Sequence, residues 1–184
     1  MNYENEITVK VLVSYEELTN ILVNQGFSVK VETTLDDSYM TNKDPNNTEV
    51  QELLHNYVLV RDSGSTGPMI TYKYKEFNSD NSIKKQGKIE LKVESVEKAK
   101  ALLEELGYKE FIRIYNDIKI YEKDGVKLVA AYVNNEYLCI EYSKPDETSI
   151  DRVIEEFKKF KIPYDDSNYF INKAIIEINK KKNS

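Results

Sequence analysis

What most limits how this chain can fold is an alternation of period two that recurs in segment after segment, with charge kept to one side. In Glu6-Ile7-Thr8-Val9-Lys10-Val11-Leu12-Val13, Glu6, Thr8 and Lys10 share one face while Ile7, Val9 and Val11 share the other. That is the pattern of a strand with two unlike faces. Thr71, Lys73 and Lys75 oppose Ile70, Tyr72 and Tyr74, and Lys88, Glu90 and Lys92 oppose Ile89, Leu91 and Val93. Arg61 stands apart from Val58 and Val60. Arg113, Tyr115, Asp117 and Lys119 alternate with Ile112, Ile114, Ile118 and Ile120.

Strands are predicted over 6–13, 27–33, 57–61, 69–77, 88–94, 111–121, 126–133 and 137–142. Turn signals fall at 62–67, 78–82, Asp124-Gly125 and Asn134-Asn135. Ser14-Tyr15-Glu16-Glu17 reads as a capping box opening a helix through Asn24 that Gly26 stops. Short helical signals cover 50–55. Ser95 opens a helix whose stripe of Val96, Ala99, Leu102, Leu103 and Leu106 ends at Gly107. The last third predicts helices over 150–160, behind a Thr148/Asp151 cap, and over 167–180. Residues 36–49 are polar and read as a loop, in which Asp36 and Asp37 form turns. The expectation is one α+β domain over 1–180, mostly antiparallel, with a frayed tail at 181–184.

A charged strand face is commonly just the solvated side of a sheet packed on helices. Here the polar positions mix cations with glutamates and recur in strand after strand, while amphipathic helices stand ready to cover the apolar face. Eight strands closed into a barrel enclose a narrow interior. Lysine and arginine beside a few glutamates would fit that interior to a polyphosphate with a divalent cation.

The net charge of −6 argues against a nucleic-acid or anionic-membrane binder, though not against a local positive pocket. No segment approaches the roughly 20 apolar residues that span a bilayer. No secretory signal is read at the start, and a single cysteine excludes an internal disulfide framework, so the expected location is the cytoplasm. Cys139 reads as a buried thiol and His55, the one histidine, as a surface or capping residue. The Gly64–Gly67 turn lacks the Gly-Lys-Ser/Thr of a P-loop.

Along nearly its whole length, and in order, the chain resembles the CYTH superfamily of class IV adenylyl cyclases, thiamine triphosphatases and other triphosphate tunnel metalloenzymes. Glu6-Ile7-Thr8-Val9-Lys10 resembles that family's opening Glu-x-Glu-x-Lys. Leu35 to Met40 is similar to its Asp-x-Tyr-Phe region, Leu59-Val60-Arg61 to its arginine strand, and Ile70-Thr71-Tyr72-Lys73 to its Leu-Thr-x-Lys strand. Lys88-Ile89-Glu90 resembles the basic-x-Glu strand, Leu102 to Gly107 the helix ending in Leu-Gly, and Ile162-Pro163 through Tyr169 the closing segment.

The resemblance implies an eight-stranded antiparallel β-barrel with flanking helices, holding a triphosphate. It assigns phosphate binding to Lys10, Arg61, Lys73, Lys88 and Arg113, and metal binding to Glu6, Glu90 and Glu141, with Mg²⁺ or Mn²⁺ as cofactor. The implied ligand is a nucleoside triphosphate, tripolyphosphate or a thiamine triphosphate-like compound. The implied reactions are hydrolysis or cyclisation, with no catalytic residue assigned and a homodimer left open. Departures touch the metal side: Thr8 replaces the second glutamate, Lys92 replaces another, and no aspartate stands near Ala131. The partner of Glu141 is Cys139 or Ser143. A gapless count puts the family's Lys-x-Arg pair at Asn116 and Ile118, whereas strand alternation favours Arg113 and Lys119 as inward cations. The departures leave a non-catalytic polyphosphate binder, or an interaction module on the same fold, as the alternative.

Overall fold

The structure, a computed structural model, describes residues 4–55, 57–77, 83–145 and 149–183, and side chains for these except 4, 5, 73–77, 83–88, 145 and 183. The elements run β1 (Glu4–Lys10), α1 (Tyr15–Asn24), β2 (Ser28–Thr41), α2 (Val50–His55), β3 (Tyr57–Ser63), β4 (Met69–Phe77), β5 (Ile83–Lys92), α3 (Val96–Glu105), β6 (Lys109–Lys123), β7 (Val126–Val133), β8 (Tyr137–Pro145), α4 (Ile150–Lys158) and α5 (Lys173–Asn183). The eight strands hydrogen-bond in the order β1-β8-β7-β6-β2-β3-β4-β5. Antiparallel pairing and the α+β class agree with the sequence reading. Closure does not: the order ends at β1 and β5, so the sheet is not closed into a barrel.

Contacts gather into two compact units, one of residues 34–115 and 173–183 and the other of 4–33 and 116–172; β2 and β6 contribute to both. In the second unit, Ile7 and Val9 of β1 and the following Val11 pack with Leu128, Ala130, Ile140 and Tyr142 beneath Leu18 and Leu22 of α1 and Val153 and Phe157 of α4. In β1, β7 and β8 the apolar face of the alternation is therefore the helix-covered one. The capping box forms as read: the Glu17 N–H donates to Ser14 Oγ at 3.2 Å, and the Ser14 N–H to Glu17 Oε2 at 2.9 Å. Asp124 and Gly125, both at positive φ, make the tight β6–β7 turn, and Asn134 and Asn135 that of β7–β8.

The outer edge of β1 is occupied by the segment that follows α4. The Thr8 N–H donates to the Tyr169 carbonyl and the Ile171 N–H to the Thr8 carbonyl. The Asp165 N–H donates to the Lys10 carbonyl, and the Leu12 N–H to the Pro163 carbonyl. Alternate residues of a strand direct their backbone groups to alternate sides. Thr8, Lys10 and Leu12 therefore spend on this segment hydrogen bonds that a closing strand would need.

In the first unit α3 lays Ala99 and Leu103 over Met40 of β2 and Val60 of β3. Leu102 and Leu106 of the expected apolar stripe instead stay exposed. The largest departure is β2, which continues to Thr41 through residues the sequence reads as loop. Asp37 pairs there in register with Arg61 of β3. α5 begins at Lys173 and continues through Asn183, beyond the expected fraying point, and Lys181 Nζ donates to the Phe111 carbonyl at 2.8 Å. The N-cap of α4 is Ser149, without a side-chain cap bond; Thr148 and the 78–82 turn lie outside the described residues.

Phe157 is 1% exposed and stacks edge-on against Phe160 and Tyr164. Phe157→Ala is expected to lower unfolding stability by about 3–5 kcal/mol, against less than about 1 kcal/mol for Leu102→Ala at its exposed site. Urea denaturation of both variants checks this; equal losses would contradict the assignment of the core.

Candidate functional site

In the 34–115 unit the strand ladder fixes which side chains share a face. Asp37, Arg61, Met69 and Lys92 form one row across β2, β3, β4 and β5, and Tyr39, Leu59, Thr71 and Glu90 form the next. These rows lie on the face away from α3, because the intervening residues Met40, Val58, Val60 and Ile70 pack on the α3 side. Lys73 and Lys88 stand opposite each other in the β4–β5 register, one pair beyond Tyr72 and Ile89. Their side chains lie outside the described residues.

Arg61 is held by a fork: its Nε and Nη2 donate to the two carboxylate oxygens of Asp37 at 2.6 and 2.8 Å. The Asp37 side chain is 6% exposed and that of Arg61 20%. Burial works against the guanidinium charge, but the hydrogen bonds and charge of Asp37, together with Tyr39 and Glu90, outweigh it and raise its pKa above the ordinary value. Burial, then the Asp37 charge, pushes the Tyr57 hydroxyl up to about 12. The fork uses one edge of the guanidinium. Among the described residues no hydrogen bond is made by Nη1 or the outer N–H of Nη2, which together could form a second bidentate contact to an anion.

The neighbouring carboxylate, Asp36, does the same on the other face. Arg113 Nε and Nη2 donate to its two oxygens at 2.7 and 2.6 Å, and that bond and charge raise the Arg113 pKa. Asp36 also stands opposite Asp62 in the β2–β3 ladder, a like-charge pairing that Arg113 relieves. Successive strand residues point to opposite sides, so Arg113 lies on the α3 face and Arg61 on the reverse. Strand alternation had favoured Arg113 as an inward cation; the geometry separates it from Arg61, Thr71 and Glu90.

In the 116–172 unit, β1, β8, β7 and β6 give comparable rows: Thr8, Glu141, Val129 and Ile120 in one, Lys10, Cys139, Ala131 and Ile118 in the next. Glu6 pairs with Ser143. Glu6, Lys10 and Glu141 therefore share a face, with Glu6 and Lys10 each diagonal to Glu141 at about 7–8 Å by strand geometry. Glu6 and Lys10 are exposed and Glu141 half-buried, and the Lys10 charge helps hold the Asp165 carboxyl below its usual range, behind the hydrogen bonds of Ser167. Asn116 and Ile118 lie on this same face, the positions of the gapless count. Lys119 lies on the other, its Nζ 4.9 Å from the centre of the Tyr15 ring. The positions of the gapless count thus carry an amide and an alkyl chain on the face of Glu141. Cys139 is buried and His55 exposed at the end of α2, as read.

Among the described residues no group of three or more His, Cys, Asp or Glu is set to hold a metal ion. The donors on the β1–β8 face are two carboxylates flanking Thr8. A hard dication can be held by one or two carboxylates plus phosphate oxygens, so these residues fit a metal that arrives with a phosphate, not a closed protein site. Asp37, Thr71 and Lys92 escape the sequence reading as site residues. The signal for Asp37 was its place within Leu35 to Met40, and for Lys92 its spacing of four from Lys88. No helix of the described residues is long and apolar enough to cross a membrane.

Removing Arg61 strands a buried carboxylate, whereas removing the 61% exposed Arg113 does not. Arg61→Ala is therefore expected to cost on the order of 3 kcal/mol and Arg113→Ala less than about 1 kcal/mol. Urea unfolding measures both, and a reversal of that order would contradict the burial of the fork.

No protein-family model matches the sequence, and no curated protein is similar to it. Solved structures are. The PH1819 protein from Pyrococcus horikoshii matches with a TM-score of 0.68 at 17% identity, over 98% of this chain and 99% of that one. A candidate adenylate cyclase from Vibrio parahaemolyticus matches at 0.67 and 14%, over 97% and 98%. The candidate adenylyl cyclase HpAC1 from Hippeastrum, whose structure is described with a dominant triphosphatase activity, matches at 0.61 and 14%, over 98% and 96%. The motifs that resemble the CYTH superfamily thus sit on a chain that shares, from end to end, the fold of these candidate adenylate cyclases.

Proposed function

We propose that this protein binds a compound carrying a triphosphate group, with Arg61, Lys73, Lys88 and Lys92 of the 34–115 unit as its phosphate-binding residues. The observation that carries the reading is the Asp37–Arg61 fork: it aims a charged guanidinium with an unspent hydrogen-bonding edge, in a row that ends at Lys92. The fold shared with proteins described as candidate cyclases and a triphosphatase supports the same ligand class. Glu90 in this unit and, separately, Glu6 and Glu141 in the 116–172 unit are the carboxylates that would hold Mg²⁺ or Mn²⁺, which would supply neutralisation of phosphate charge.

The chain's own residues position the anion and offset its charge, and they offer no set that demonstrates activation of a hydroxyl or recognition of a base. Thr8 in place of a carboxylate, with Asn116 and Ile118 at the positions of the gapless count, favours binding without turnover over hydrolysis or cyclisation. Cytoplasmic location follows from the single cysteine and is part of the same proposal.

Thermal unfolding with tripolyphosphate, ATP and thiamine triphosphate, with and without Mn²⁺, tests the reading. Tripolyphosphate is expected to raise the melting temperature of the wild type by several degrees at saturation, and Arg61→Lys, which cannot make the fork, to lose most of that shift. No stabilisation by any of the three compounds would sink the proposal. Release of phosphate or cyclic AMP that Glu141→Gln abolishes would replace the binding-only reading with an enzyme.

A further inference from the structure

Thr71 is fully buried on β4, and its hydroxyl has no hydrogen-bond partner among the described residues. A buried hydroxyl left unbonded costs stability that valine, of the same shape and equally suited to a strand, would not. Asn116 Oδ1 is the other such atom, but its row is apolar, running on to Val133 of β7. The surroundings of Thr71 are different. It pairs with Leu59 on one side and Glu90 on the other. Its diagonal positions are then Tyr57 and Arg61 on β3 and Lys88 and Lys92 on β5.

A donor without an acceptor, in a ladder position flanked by three cationic residues, is matched to an oxygen anion. Glu90, directly opposite, is the one carboxylate among these six ladder positions, and Arg61, Lys88 and Lys92 on the diagonals outnumber it. We infer that Thr71 Oγ1 donates a hydrogen bond to a phosphoryl oxygen of the bound triphosphate, beside the free edge of Arg61, making Thr71 a phosphate ligand in its own right. The inference rests on the proposed triphosphate binding and adds a neutral donor to a set otherwise made of charges. In a site screened from water such a bond to a charged oxygen is short and strong.

Isothermal titration of the full-length chain with tripolyphosphate, metal-free in EDTA, tests this on the wild type, Thr71→Val and Thr71→Ser. Thr71→Val is expected to bind about tenfold more weakly, equivalent to ~1.4 kcal/mol, while melting at or above the wild-type temperature because the unbonded hydroxyl is gone. Thr71→Ser, which keeps the hydroxyl, is expected within about twofold of wild-type affinity. Wild-type affinity in Thr71→Val would overturn the inference and leave triphosphate binding standing, as would equal weakening in both variants, which marks packing instead. A wild type that takes up no tripolyphosphate would overturn the binding reading itself, and this inference with it.

Discussion

Two adjacent carboxylates on β2 hold two arginines on opposite faces, and the arrangement of charge in the 34–115 unit follows from them. Asp37 is nearly sealed from solvent and would be costly there alone; Arg61 answers it with two short hydrogen bonds. Because a strand alternates, Asp36 is turned the other way and takes Arg113. These pairings make a Leu-Asp-Asp-Ser segment behave as strand, carry β2 to Thr41, and set the register that lines up Arg61 with Lys92 and Thr71 with Glu90.

A guanidinium fixed side-on by a carboxylate is partly neutralised yet well aimed, and phosphate recognition profits from aim as well as charge. The 116–172 unit shows the opposite balance. Its helix-free face gathers Glu6, Lys10 and Glu141, but the rows run on into Val129, Ala131, Ile118 and Ile120. This face is a charged margin beside an apolar floor. With only two carboxylates among the described residues of this face, a metal held there would need most of its oxygens from phosphate or water.

Much of the fold was legible because its signals are local: the Ser14–Glu17 capping box, the Asp124-Gly125 turn and the apolar stripe of β1 each lie within a few residues. The misreadings needed distant information. Residues 36–41 looked like a loop because the partners that make Asp36 and Asp37 tolerable in a strand lie 77 and 24 positions away. Alternation correctly separated Arg113 and Lys119 from their isoleucine neighbours but could not say which face the helices would cover; α3 and α1 took the face of the charges. The edge of β1 was not legible for a similar reason, since nothing local in 163–171 says that its backbone will hydrogen-bond there. Most site candidates were visible as residue types on strands. Asp37 and Thr71 were not, since one acts by orienting another residue and the other shows its interest only as a buried atom without a partner.

The central claim is that Arg61, held by Asp37, receives an anion through the edge the fork leaves open. A crystal structure of the protein soaked with tripolyphosphate examines it directly. The account predicts a phosphoryl oxygen within hydrogen-bond distance of Arg61 Nη1 while Nε and Nη2 remain on Asp37. Phosphate bound elsewhere with Arg61 untouched, or an Arg61 that abandons Asp37 to meet it, would contradict the account.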